Sequence, residues 1–489
     1  MKALQSIIET LSAEEQRDFI LNLQQKNRRG DTKNTTLFKL IVKGETDNIV
    51  VKLYGKDSKN AFHALCKRLQ DSLIDFIALK SFAGETSEEL EILKLLLSSR
   101  IFFEHKHYKL GFKTLAKAEK SALQLDVYAI LTEIYHTKIQ YAHLNPAIIL
   151  NELIISAEKN LALFNREQQM NMAYAHIKEA LKSKKQKSIQ DIITDVFSNF
   201  KIGLDNKLTY KSLFQLMSIT ATAARLQSYY YDSAPFLFRL YEIVSEKGEL
   251  ANKHLFYHIE MLNVMATVSF RNKDFETSTK FLGIMETQME KEHRKYYGRF
   301  QEKLTLNRAL CFNYTNQPNK AISLLKQYTS NSLDIDLTLA VCFFQQEKYE
   351  DCYAVLKQMH HTDLWYEKKN GWIWVIKKSI IEILVLIELD KLDVVLSRIT
   401  GFNNRFSKQL KASGEVRVLN FIKLVSKYYE APQEINSDKF QQLVETSFEW
   451  IGTEKEDVFV MSFYAWLKAK MERTGLYETT LKLVFFRTH

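Results

Sequence analysis

Residues able to do chemistry occur throughout this chain, but not in the spacings that chemistry requires. The twelve His include His105 with His107 and His360 with His361. Neighbours on a helix do not face one way, and no H-E-x-x-H spacing brings two imidazoles onto one face. Both pairs are expected at the surface or at helix ends. Cys66, Cys311, Cys342 and Cys352 form no C-x-x-C pair and no zinc-finger spacing, and none has an adjacent His. That pattern predicts neither a disulfide framework nor thiol chemistry. A phosphate cradle needs closely spaced glycines between a strand and a helix, and a nucleophile elbow needs G-x-S-x-G; the sequence has neither. Glu88, Glu89 and Glu91 crowd one helix, where charge is ordinarily solvated. The expectation is a protein that is not an enzyme and holds no cofactor and no metal.

Binding is what these residues could do instead. Lys182-Ser183-Lys184-Lys185-Gln186-Lys187 is a basic run, and His293 to Phe300 interleaves cations with Tyr296, Tyr297 and Phe300, a mixture that can serve phosphates and stacked bases. The plainer reading prevails for both. Cations at a helix C-terminus suit the macrodipole, and aromatic residues at helical spacing are usually core. The net charge of +10 and pI near 9.0 arise from 68 basic against 58 acidic residues, which describes a solvated surface of mixed sign with a mild attraction for polyanions. Nucleic acid is therefore not the favoured partner.

The elements that position these residues are helices. Only 14 Gly and 4 Pro occur in 489 residues, which leaves little material for hairpin turns or strand bulges. A chain of this length exceeds one compact core, so several domains or an elongated array is expected. Met1 to Leu11 carries Glu9 and lacks the apolar core of a secretory signal. Trp372 to Leu389, the most apolar stretch, holds Lys377, Lys378 and Glu382 near its middle, where a membrane span tolerates charge poorly. No membrane insertion and a cytoplasmic location follow as expectations.

The first 84 residues read as a helical unit of their own. Ser12 with Glu15 and Thr86 with Glu89 make capping-box patterns, Asp47 and Ser58 suit helix starts, and Gly44 and Gly55 suit helix stops. The long helix after Ser58 carries Ala61, Phe62, Leu65, Leu69, Leu73, Phe76 and Ile77 as its apolar stripe. The next helix carries Leu90, Leu93, Leu97 and Ile101. From 85 onward the chain is self-similar. Ala309, Phe312, Ala321 and Leu325 recur as Ala340, Phe343, Cys352 and Leu356, each shifted by 31 residues. Weaker copies are Ala266, Ser269, Phe275, Ser278 and Leu282; Phe102, Tyr108, Gly111, Leu115 and Ala118; Leu386, Leu392, Val395 and Ile399; and Ala234 with Phe238. Small residues let two antiparallel helices approach, while aromatic and Leu positions fill the groove between pairs.

This spacing resembles the tetratricopeptide repeat, with Ala309, Phe312, Ala321 and Leu325 matching its small, aromatic, small and bulky positions. The resemblance is clearest over 260–400 and extends, less regularly, over 85–489. Thr305 and Leu333 stand where the family pattern has Trp and Pro. The resemblance implies an all-α fold, a right-handed superhelical array of antiparallel helix hairpins. It also implies a groove lined by the first helix of each pair, with Lys303, Leu306, Asn307, Leu310 and Asn313 facing inward in one repeat. In the next repeat Asp334, Leu337, Thr338, Val341 and Phe344 do so. Lys303, Asn307 and Asn313 are then the candidate partner-binding residues, and the family's basic clamp for C-terminal carboxylates is not reproduced.

The leading expectation is a non-catalytic protein-interaction scaffold with a protein or peptide partner. The alternative rests on residues 35–77, whose short helix, turn, short helix and long helix resemble bacterial regulators that join a helix-turn-helix domain to such repeats. There Lys59, Lys67 and Arg68 would meet phosphates or bases. Asp71 and Asp75 on the same helix, and the lack of a wing hairpin, favour a helical cap over 1–84 followed by repeats over 85–489.

Overall fold

The computed structural model describes residues 2–9, 11, 13–26, 32–44, 48–55, 58–84, 88–182, 189–203, 208–227, 230–329, 332–413, 415–447 and 458–485. Helices, joined by short turns, make up the described residues, and no strand occurs among them. The chain divides into two compact units, Met1–Leu161 and Ala162–His489. The 84/85 boundary thus falls inside the first unit, and Ser12, Asp47, Thr86 and Ser183 to Lys187 lie outside the described residues. No described helix is long and apolar enough to cross a membrane. The Trp372–Glu388 helix is buried instead, and its Lys378 pairs with Glu382 at 3.2 Å.

The first unit has two cores. One gathers Leu4, Ile8, Phe19, Phe38 and the Phe62, Leu65, Leu69, Leu73, Phe76 stripe of the Lys59–Gly84 helix. Phe19 sits at its centre, with ring centroids 5.0 Å from Phe38 and 5.1 Å from Phe76. Ala61, expected on that stripe, is exposed. The second core joins the Glu88–Glu104, Tyr108–Gln124 and Tyr128–Tyr141 helices. Here the expected stripe is corrected: Ile92, Leu96, Ser99 and Phe103 face the core, whereas Leu97 and Ile101 are half exposed. Glu88–Glu104 is apolar around most of its circumference, so periodicity alone could not choose the buried face.

Gly111 explains a close approach in this second core. A Cβ there would meet the Phe103 ring at 2.7 and 2.8 Å, and that ring is fixed by stacking on Tyr141 at 4.3 Å and by an edge contact with Phe112 at 4.9 Å. Gly111→Ala is expected to destabilise by about 1–3 kcal/mol through overpacking, outweighing a helix-propensity gain of about 1 kcal/mol. A urea midpoint equal to or above that of the unchanged protein would count against this packing.

In the second unit, four helix pairs follow one another: Leu255–Arg271 with Phe275–Met289, Tyr297–Tyr314 with Pro318–Lys326, Leu333–Gln345 with Tyr349–Lys357, and Trp372–Glu388 with Leu392–Ser413. Each pair packs within itself and the first helices pack side by side. The small markers are where the repeat needs them: Ala309, Ala321, Ala340 and Cys352 are wholly buried. Ser278 is too, and its hydroxyl reaches Ala266 O at 2.8 Å and Cys311 Sγ at 3.3 Å.

One turn recurs. Lys106, Lys273, Asn316, Glu347 and Asp390 each adopt a left-handed φ between the two helices of a pair. The next residue's N–H donates back five positions, as in His107 to Phe102, Gln317 to Phe312, Lys348 to Phe343 and Lys391 to Leu386. This is the Schellman closure of a helix C-terminus, made here without Gly. Arg473 repeats the φ, and Thr474 donates to Ala469 O at 3.0 Å. A fifth pair, Val458–Glu472 with Leu476–Phe485, therefore closes the chain with the same turn.

Candidate functional site

The first helices of the four pairs present one face to a common cavity of about 220 Å³. Thr267, Phe270 and Arg271 come from the first pair, and Leu306, Asn307 and Leu310 from the second. The third pair gives Asp334, Leu337, Thr338, Val341, Phe344 and Gln345, and the fourth gives Trp374, Lys377 and Ile381. The three- and four-residue spacings within each set are one side of a helix. Ser462 and Phe463 from Val458–Glu472 supply a further wall.

Of the sequence-predicted groove residues, Leu306, Asn307, Leu310, Asp334, Leu337, Thr338, Val341 and Phe344 line this cavity. Asn307 Nδ2 donates to Asn263 Oδ1 at 3.0 Å and Thr267 Oγ1 at 3.3 Å, which ties the first two pairs together. Lys303 is ion-paired with Glu260 at 2.7 Å. Asn313 is wholly buried, and its amide donates to Gln345 Oε1 at 2.6 Å. It braces the scaffold and presents nothing to a partner.

Asp334 is open to solvent on one side yet crowded by the groove walls. That crowding, with Glu302 nearby, raises its carboxyl above the usual range, partly offset by Trp374, Asn370 and Lys377. Trp374, Lys377, Ile381, Ser462 and Phe463 were missed at the sequence level. The first three lie in a helix whose apolar run conceals its phase. The last two belong to a hairpin brought in from far along the chain.

That C-terminal hairpin touches every pair. Phe485 meets Phe275 edge-on at 5.6 Å. Ser462 Oγ lies 2.6 Å from Tyr314 Oη, which also accepts from Gln345 Nε2 at 3.1 Å. Tyr477 donates to Asn313 O. Glu388 accepts from Trp466 Nε1 at 2.6 Å and Lys470 Nζ at 2.8 Å. Glu347, the left-handed turn residue of the third pair, aims its carboxylate at Leu476 N at 2.7 Å and so caps the last helix. Glu347→Ala is expected to cost about 0.5–2 kcal/mol, the range for losing an N-cap, with faster hydrogen exchange in the first turn after Leu476. Unchanged exchange there would rule the cap out.

The cations and aromatic residues of the 293–300 stretch are engaged in contacts within the chain. Arg294 lies over Tyr297 at 3.7 Å and Arg299 over Phe256 at 4.6 Å, while Tyr296 and Phe300 are buried. Arg294 and Lys295 also pair with Glu290 and Glu292. The 293–300 stretch thus offers no open aromatic face for bases. Lys59, Lys67 and Arg68 are exposed, but at about 100° per residue Arg68 lies opposite Lys59 on the helix, so the three share no contact face. His105, His107, His360 and His361 are exposed, and His361 stacks on Trp365 at 3.9 Å. All four cysteines are buried. Burial pushes their thiols up, that of Cys342 to about 12, away from nucleophilic reactivity.

One buried titratable cluster was not foreseen. Tyr210 Oη lies 2.6 Å from His258 Nδ1, and the His254 ring stacks on Tyr210 at 5.1 Å. Burial, reinforced by the charge of Lys291, lowers the His258 pKa to about 4. All three side chains are more than nine-tenths buried, which closes them to a substrate.

No family model matches the chain, and no curated protein matches it either.

Proposed function

We propose that this chain is a cytoplasmic, non-catalytic interaction scaffold. Its tetratricopeptide-like hairpins wind into a right-handed superhelix and hold a protein or peptide partner on the inner face of residues 162–489. One observation carries the reading: the same helix face in four successive pairs contributes to a single cavity. A stack of hairpins held together only for its own stability has no need to leave a cavity on that face accessible at Leu306, Asn307, Thr338 and Val341. The cluster of Phe, Leu, Val and Trp side chains there, rimmed by polar groups, has the make-up of an interface centre. In this reading residues 1–84 form a helical cap, with their cations spread around the long helix.

Val341→Arg tests it, because this half-buried position can accept a long side chain at modest cost to the fold while placing a cation in the cavity. Captured partner from the native cell is expected to fall at least tenfold against unchanged protein, whereas Ser323→Arg, on an exposed second-helix position, leaves capture intact. Equal capture by both variants would remove the groove from consideration.

A further inference from the structure

A second cavity, of about 560 Å³, lies between the two helices of the fourth pair, beside the start of the Asp363–Asn370 helix. Its size is that of a small-molecule site, and it shares no lining residue with the inner-face cavity. Three cations and three carboxylates surround it. Glu382 is saturated, with one oxygen 3.1 Å from Arg398 and the other 3.2 Å from Lys378. Arg405 Nη2 donates to Glu367 at 2.7 Å. Two charged groups on the wall keep capacity to spare. Arg405 Nε is buried and has no hydrogen-bond partner among the described residues. Among the same residues the Asp363 carboxylate has only Lys378, at 3.8 Å, which is beyond hydrogen-bond reach. A buried guanidinium donor left unmet is costly, so the site calls for an acceptor at Arg405 and a donor at Asp363.

Charge balance narrows the ligand. The surrounding groups sum to zero, so a lone anion or a lone cation would leave one sign in excess, whereas a zwitterion preserves the balance. The two unmet groups are also near each other. Asp363 and Glu367, to which Arg405 is tied, are four residues apart on one helix, about 6 Å along its axis. An α-amino acid carries its ammonium and carboxylate on one carbon, and a charge-assisted hydrogen bond of about 2.8 Å at each end lets it bridge such a gap. Val394, 40% exposed on the cavity wall, offers apolar surface to the side chain. Gly401 leaves the room: a Cβ there would meet nothing within 4 Å, in a helix interior where Gly is otherwise disfavoured.

We propose that this cavity binds a free apolar α-amino acid, with its carboxylate on Arg405 Nε and its ammonium on Asp363. The site does not depend on the groove reading above. It gives the fourth pair a small-molecule ligand of its own.

The test titrates the full chain with L-leucine, followed by ligand-observed NMR. N-acetyl-leucine, which lacks the ammonium, leucinamide, which lacks the carboxylate, and the uncharged N-acetyl-leucinamide serve as comparisons. Leucine is expected to bind saturably and at least tenfold more tightly than any of the three. Asp363→Asn, and Arg405→Lys, which keeps a cation for Glu367 but loses Nε, are each expected to weaken leucine at least tenfold. Gly401→Phe fills the cavity from an open position and is expected to abolish binding with no fall in the urea midpoint. Glu350→Gln, exposed on the second helix of the third pair, is expected to leave binding unchanged. Absence of saturable leucine binding, equal affinity for leucine and any derivative, or undiminished binding in Asp363→Asn or Gly401→Phe overturns the proposal.

Discussion

Trp466→Ala is expected to destabilise the 162–489 unit by about 3–5 kcal/mol, the largest effect of any single truncation considered for this chain. Trp466 is 1% exposed. It packs edge-on against Tyr428 at 5.4 Å and donates its indole N–H to Glu388 at 2.6 Å. Truncation opens a cavity and also removes one donor from a carboxylate that is itself largely buried, leaving Lys470 to hold it alone. The lost hydrogen bond falls on the joint between the C-terminal hairpin and the fourth pair, and the lost packing on the joint between that hairpin and the Val416–Glu430 helix. Trp466→Phe separates them. It keeps most of the bulk and is expected to cost about 1.5–3 kcal/mol, the range for a hydrogen bond to a charged group. Urea unfolding reads both variants as a lower midpoint. A loss below about 1 kcal/mol for the Ala variant would mean that the hairpin does not brace the array.

Acid is expected to weaken the same unit by about 3 kcal/mol through His258 alone. The imidazole has a pKa of about 4 in the fold against an ordinary value of 6.5, so protonation is disfavoured in the folded state. As pH falls below 6.5 the unfolded chain takes up the proton first, and stability drops until the folded group also titrates near pH 4. The contribution is complete above pH 6.5 and absent below pH 4. Tyr210, whose phenol is raised by burial, stays neutral throughout. His258→Asn keeps an acceptor for Tyr210 but cannot titrate. Its stability is expected to be flatter between pH 7 and 4 than that of the unchanged protein. Parallel pH profiles for the two would contradict the assignment.

The parts of the fold legible in the sequence were those with local causes. The 31-residue shift that carries Ala309 to Ala340 and Ala321 to Cys352 marks positions that are all wholly buried. The aromatic markers Phe312 and Phe343 are the residues whose carbonyls close the turn. What failed was phase and distance. Glu88–Glu104 is too evenly apolar for its buried face to be chosen from periodicity, so Leu97 and Ile101 were assigned inward and lie outward. Asn313 sits at an inward repeat position, yet the C-terminal hairpin covers it through Tyr477. No local pattern announces that residues 458–485 return to meet 275, 314, 347 and 388. That long-range contact is what walls the cavity with Ser462 and Phe463.

The central claim is that a partner occupies the inner face lined by the first helices. Its most direct test replaces Thr338, at the cavity rim, with a photo-crosslinking benzoylphenylalanine, and Ser323, on the outer second helix, with the same residue. The variants are irradiated in the native cell. A discrete protein adduct from position 338 that is absent from position 323 is the predicted result. No adduct at 338, or the same adducts from both positions, would contradict the account.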